Sequence, residues 1–281
     1  MSRSWRAAGL CVLAAVVVSC APAPAPVAAP PPVTTAASAP VEPSRAQEAV
    51  DAADASVTRA GATVGIAVLD RTTGSLAVND AGSEPFNSAS LSKVLTVLDA
   101  LRGGQVTDAD RELIRAALGP SDDDAMNTLW SRFGGQAGIT RVSEALGLQD
   151  TTAPDDPSQW GEVQLSPRDM TSVFRYVVEG LAPVDRDLVL DALGAAPAQA
   201  ADGFDQAFGL LDPSRRGPAD AKQGWLCCLD EAVDLHSAGL LAPADRYVVA
   251  ILSRQPYGYP AARQVLDDAA AAIRDVVGDR G

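Results

Sequence analysis

The chain has 281 residues, 36 acidic against 22 basic, for a formal net charge of −14. That balance makes nucleic acid and anionic lipid head groups poor partners. A single histidine, His236, argues against a zinc cluster, and nothing else in the sequence suggests a metal or cofactor site.

At the amino end, Arg3 and Arg6 precede an apolar run from Ala7 to Val18 that is too short to span a bilayer as a mature helix. Val17, Val18, Ser19 and Cys20 are similar to a bacterial lipobox. Residues 1–19 therefore read as a lipoprotein signal peptide, and Cys20 as a lipidated first residue anchoring the chain to the outer face of the cell membrane. Without the signal arginines, 20 basic residues face 36 acidic ones. From Ala21 to Ser44 there is no periodic apolar pattern, and 8 of the chain's 20 prolines fall there. As a polyproline-like spacer this stretch reaches roughly 70 Å. Residues 45–281 are left as one domain with room for a sizeable core.

Within that domain, residues 45–60 carry a helical pattern, Thr63 to Asp70 read as a strand, and Ser75 to Asn79 as its return after a turn at Arg71 to Gly74. Helices are expected near 90–102, 108–118, 123–133, 138–147, 166–181 and 184–194, punctuated by Gly, Pro and Asp. Residues 219–226, 233–241 and 246–253 read as three strands, and Gly258 to Val277 as a closing helix. The order implies an α+β fold of two lobes. An antiparallel sheet is flanked by the terminal helices, the central helices form an all-helical lobe, and a site lies between.

Of the 22 basic residues 20 are arginine, and the two lysines, Lys93 and Lys222, both stand in chemically suggestive settings. A guanidinium stays protonated, whereas a buried ammonium can give up its proton and act as a base. Ser90 and Lys93, three apart, share one face at the start of the first central helix, with Leu91, Val94, Leu95 and Leu98 forming another. A serine there lies beside unpaired backbone N–H groups, and a lysine one turn on can take its proton. Ser121 and Asp122 are candidate caps for the helix beginning near Asp123. Lys222 is followed by Gln223, Gly224 and Trp225 on a strand, where the glycine permits close backbone approach. Taken singly, each feature also reads as a surface lysine, a cap or an ordinary strand glycine.

In this order, Ser90-x-x-Lys93, Ser121-Asp122-Asp123 and Lys222-Gln223-Gly224 resemble the Ser-x-x-Lys, Ser-Asp-Asn and Lys-Thr-Gly motifs of class A β-lactamases and penicillin-binding proteins. More closely, SDD and KQGW-x-CC (222 to 228) are similar to actinobacterial alanine-rich lipoproteins of the LppW type. The resemblance implies a β-lactamase/transpeptidase-like fold. It also implies Ser90 as nucleophile, Lys93 as its base, Ser121 with Lys222 as proton relay to the leaving group, and the backbone N–H groups of Ser90 and Trp225 as oxyanion hole. Asp123, Gln223 and Gly224 fall on substrate-binding positions. The implied ligands are peptidoglycan or β-lactam-like amides.

Four departures bear on activity. Asp123 replaces an asparagine and loses its donor, Gln223 replaces a hydroxyl residue, and Trp225 puts a large ring beside the oxyanion hole. The stretch Thr151 to Leu165 is short, and none of Asp155, Asp156 and Glu162 matches the glutamate that activates the deacylating water in class A enzymes. The expectation is an envelope-anchored serine hydrolase whose acyl-enzyme persists. The competing expectation is a degenerate domain that binds a cell-wall fragment or a protein partner, and either a cleft filled by Trp225 or a charged Lys93 paired with Asp123 would point to it. Steady β-lactam hydrolysis ranks third. His236 is read as a structural residue. Cys227 and Cys228 are either a vicinal disulfide or two thiols, with the thiols preferred. The oligomeric state is left open.

Overall fold

The computed structural model describes residues 43–57, 61–214, 218–241, 245–256 and 258–278. The signal segment, Cys20 and all but the last two residues of the spacer lie outside this set, as do the last residues of the first expected helix, 58–60. Helix α1 (Arg45–Ser56) starts where the Ser44 hydroxyl accepts from Gln47 N. Strands β1 (Thr63–Asp70) and β2 (Ser75–Val78) form a hairpin. The two-residue strands β3 (Phe86–Asn87) and β4 (Gln164–Leu165) pair with each other and bracket the helical region.

That region holds α2 (Ser92–Arg102), α3 (Asp108–Leu118), α4 (Asp123–Arg132), α5 (Gly135–Leu146), α6 (Pro167–Glu179) and α7 (Pro183–Gly194). Their starts follow side-chain chemistry. Thr107 and Asp110 make a capping box before α3, Asp122 caps α4, and Ser166 with Pro167 opens α6. The chain then returns to the sheet as β5 (Ala219–Cys227), β6 (Val233–Leu241) and β7 (Tyr247–Gln255), and ends in α8 (Tyr259–Gly278). Among the described residues, no helix is long and apolar enough to cross a membrane.

The main sheet is antiparallel, in the order β2-β1-β7-β6-β5. Alternation along its strands divides the core. Val249 and Ile251, with Val64, Ile66 and Leu235, pack against α1 and α8 through Ala46, Val50, Leu266 and Ile273. Val248, Ala250, Leu252, Ala238 and Leu240 face the helical lobe and join Leu95, Leu98, Met170 and Phe174. Both faces are thus covered, as the near-continuous apolar runs of β6 and β7 require. The expected α+β architecture is observed, β3 and β4 excepted. Strand β5 is an edge strand, and its free edge runs along the entry to α2.

One expectation is corrected here. Cys227 and Cys228 are joined as a vicinal disulfide at the exposed end of β5, where two thiols had been preferred.

Candidate active site

Ser90 does not open the α-helix itself. It lies in the 3-10 turn Ala89–Leu91 that feeds α2, directly after Ala89, whose φ of 46° is in the left-handed region. Such a conformation costs an alanine on the order of 1 kcal/mol and persists only where its surroundings impose it. Two neighbours do so. Gly224 of β5 passes so close that a Cβ there would sit 3.0 Å from Ser88 O and 3.3 Å from Ala89 Cβ. On the other side, Ser88 N donates to Val163 O at 2.7 Å. The glycine expected to admit a close backbone therefore does so, and the backbone admitted is the serine turn.

Lys93, the second residue of α2 and one turn on from Ser90, is fully buried. Its Nζ reaches Ser90 Oγ at 2.9 Å, Ser121 O at 2.9 Å, Ser121 Oγ at 3.1 Å and Asp123 Oδ1 at 2.6 Å. Ser121 supplies two of these acceptors because its backbone is left-handed, with φ of 60°, just before the cap of α4. From the sheet, Lys222, only 1% exposed, donates to the same Ser121 Oγ at 2.8 Å and to Gln223 O at 3.0 Å. Helix entry, interhelix loop and edge strand thus converge on one hydroxyl.

The electrostatics follow from burial. Two ammonium groups each within 3.1 Å of Ser121 Oγ are at most about 6 Å apart, which costs on the order of 3 kcal/mol at an effective dielectric near 20. Burial, then the charge of Lys93, hold the Lys222 pKa well below the ordinary lysine value. Burial also lowers that of Lys93, while the Asp123 carboxylate pulls it back up. Lys222 is therefore the better candidate for the neutral amine and Lys93 for the ammonium.

Ser90 opens onto a cleft of about 250 Å³ lined by Ala89, Asp123, Trp160 and Trp225 among others. Trp225 borders it without filling it. Its ring stacks on Phe204 at 4.5 Å and 11°, and its Nε1 donates to Asp202 at 3.1 Å. Gln223 is a correction. Neighbouring strand residues face opposite ways, so its side chain is buried on the far side from Lys222, donating to Phe208 O and, at 3.4 Å, to Gln206 O. It does not reach the cleft, and a substrate-binding role is withdrawn. Asp123, placed on a substrate-binding position, spends one carboxylate oxygen on Lys93 while its side chain stays 58% exposed. Glu162 lines a separate cleft with Glu84, Asn87 and Arg254. Asp156 accepts from Ser158.

Trp160, given no role from sequence, and His236, expected to be structural, both matter here. The Trp160 ring lies over Lys93, with its centroid 4.8 Å from Nζ, and its Nε1 donates to Asn127 Oδ1 at 2.9 Å. His236 is fully buried. Ser253 N donates to its Nδ1 at 3.2 Å, which leaves Nε2–H to donate to Asn87 O at 2.7 Å. Burial lowers its pKa, so the ring is a neutral brace between sheet and serine turn.

A sequence model described as the β-lactamase enzyme family matches residues 106–277. A Mycobacterium tuberculosis chain described as a lipoprotein, LppW, is 34% identical over 235 residues, covering 81% of this chain and 73% of that one. Among solved structures, a class A β-lactamase from Bacteroides cellulosilyticus superposes with a TM-score of 0.70 at 14% identity, covering 85% of this chain and 100% of the other. A structure of PBP-A superposes with a TM-score of 0.66 at 19% identity, covering 83% and 96%. Both likenesses are of fold.

Proposed function

The chain belongs to the β-lactamase enzyme family, and from that premise we propose that it is a serine acyl-transfer enzyme of the cell envelope, acting on amide substrates through Ser90. The observation that carries this reading is the buried run Ser90 Oγ, Lys93 Nζ, Ser121 Oγ, Lys222 Nζ, with successive separations of 2.9, 3.1 and 2.8 Å. A nucleophile, a base and a second lysine joined through a hydroxyl can pass a proton from attacking group to leaving group.

In this reading Lys93 gives its proton towards Lys222 through Ser121, then receives the Ser90 hydroxyl proton as Oγ attacks the carbonyl. The backbone N–H groups of Ser90 and Trp225 stabilise the oxyanion. Ser121, resupplied by Lys222, protonates the departing amine, leaving an ester on Ser90. No carboxylate of the 151–165 stretch touches Ser90 or Lys93 among the described contacts, so the ester is long-lived. The substrate is a peptidoglycan-type or β-lactam amide, and the lipid on Cys20 holds the domain at the outer face of the membrane. The relative described as a lipoprotein supports that placement.

The test is intact mass after incubation with penicillin G. The adduct is expected at Ser90 in the wild type and absent from Ser90→Ala. A second reading, a domain that binds envelope ligands without acylation, is favoured by the 2.6 Å pair between Lys93 and Asp123, which holds the base in its charged form. An unchanged mass in both proteins selects it.

A further inference from the structure

The segment carrying Trp160 is short but tied down. Trp130 Nε1 donates to Pro157 O at 2.8 Å on one side of it, and Ser88 N to Val163 O at 2.7 Å on the other. Trp160 itself stands in the turn Trp160–Glu162, with its indole nitrogen latched to Asn127 of α4. These ties fix the ring against Lys93, whose remaining contacts are Ser90, Ser121 and Asp123.

The spacing decides what fits there. A water hydrogen-bonded to Nζ needs about 2.8 Å on that side, and its oxygen needs about 3.5 Å more to clear the ring. The observed 4.8 Å leaves no such gap. A face of Lys93 from which a water could be activated is covered by apolar surface.

We propose that Trp160 is a positioning residue that keeps water off the face of Lys93 from which it could be activated to attack acylated Ser90, and so sets the lifetime of the acyl-enzyme. The inference rests on acylation of Ser90 as proposed above. The suppressed step is attack of water on the ester carbonyl. A C–O bond to water forms, the bond from the carbonyl carbon to Ser90 Oγ breaks, and one water proton passes through Lys93 to Oγ, releasing the acid. Water exclusion of this kind protects reactive intermediates in closed sites.

The experiment compares full-length wild type, Trp160→Ala and Trp160→Phe, each checked for an unchanged circular dichroism spectrum. Acyl-enzyme formed with penicillin G is freed of excess reagent and followed by intact mass. Trp160→Ala is expected to lose the pre-formed adduct at least about tenfold faster, a decay read after excess reagent is removed and so independent of how fast each variant acylates. Trp160→Phe, which keeps a ring but not the Asn127 latch, should stay near the wild type. Equal adduct lifetimes in wild type and Trp160→Ala overturn the proposal.

Because the chain has only two lysines, reductive methylation with formaldehyde and cyanoborohydride, read by peptide mass, gives an independent arm. Lys93 should be modified faster in Trp160→Ala than in wild type, with Lys222 unchanged as internal reference. No gain at Lys93 also overturns the proposal. If no variant acylates yet Lys93 alone is exposed, the cover is upheld and the acyl-transfer reading falls.

Discussion

Lys93 and Lys222 are hydrogen-bonded to one and the same atom, Ser121 Oγ, at 3.1 and 2.8 Å. One comes from the helical lobe and the other from the edge of the sheet, so the hydroxyl couples their protonation states. The chemistry of the cleft depends on which of them is charged, and Asp123 biases the choice towards Lys93.

Removing that bias is the most direct probe. In Asp123→Asn the influence that raises the Lys93 pKa is lost and burial remains, so the neutral amine is reached at lower pH. The carboxylate is 58% exposed and its pull is screened by solvent. The midpoint of acylation against pH should therefore fall, and the rate at neutral pH should rise by no more than about fivefold, as the ~1 kcal/mol ceiling of an exposed ion pair allows. A midpoint that rises or stays put contradicts the assignment of Lys93 as base.

Lys222 offers a stability test. Its folded pKa is depressed by burial and by Lys93, so between that value and about 10.4 the unfolded chain binds more protons and stability rises with pH. Thermal midpoints of wild type and Lys222→Met across that window should converge as pH rises, the wild type gaining and the variant staying flatter. Parallel curves would show that Lys222 titrates normally.

Lys93→Met should remove all acylation and change stability by less than about 1 kcal/mol, because relief from burying an ammonium beside Lys222 is offset by the donor lost to the buried Ser121 O and Ser90 Oγ. Denaturant melts read the second effect and intact mass the first.

Gly224→Ala places a methyl 3.0 Å from Ser88 O and 3.3 Å from Ala89 Cβ, tighter than ordinary contact. The serine turn must move by a few tenths of an ångström. Acylation is expected to fall roughly tenfold or more, with about 1 kcal/mol of stability lost. Wild-type kinetics in this variant would show that the turn tolerates displacement.

The pair Cys227 and Cys228 is testable by alkylation. Iodoacetamide should leave both unmodified in the non-reduced protein and add one group to each after reduction. Modification without reductant would restore the thiol reading.

Much of this was legible in the sequence because the signals were periodic or local. The β-branched run of β7, the cap candidate Asp122 and the order of the three motifs all lie in contiguous residues. Strands β3 and β4 have two residues each, too few to show a period. The orientation of Gln223 was readable, since a residue next to Lys222 on a strand must face away. Adjacent cysteines leave their oxidation open. The placement of Trp160 over Lys93 is a tertiary fact with no local signature, beyond its position in the stretch where a deacylating carboxylate was sought and not matched.

Helices α1 and α8 lie together on the sheet face opposite the helical lobe, and Arg45 Nη1 donates to Val276 O at 2.8 Å, so the two ends of the domain are clasped. Lys222, pointing through the other face, belongs to the opposite side of the molecule. Tension applied along the chain ahead of residue 43 would be met first by the α1–α8 clasp and the face beneath it. The cleft would feel it only after that layer had yielded, so a pull on the amino end of the domain leaves Ser90 aligned with Lys93.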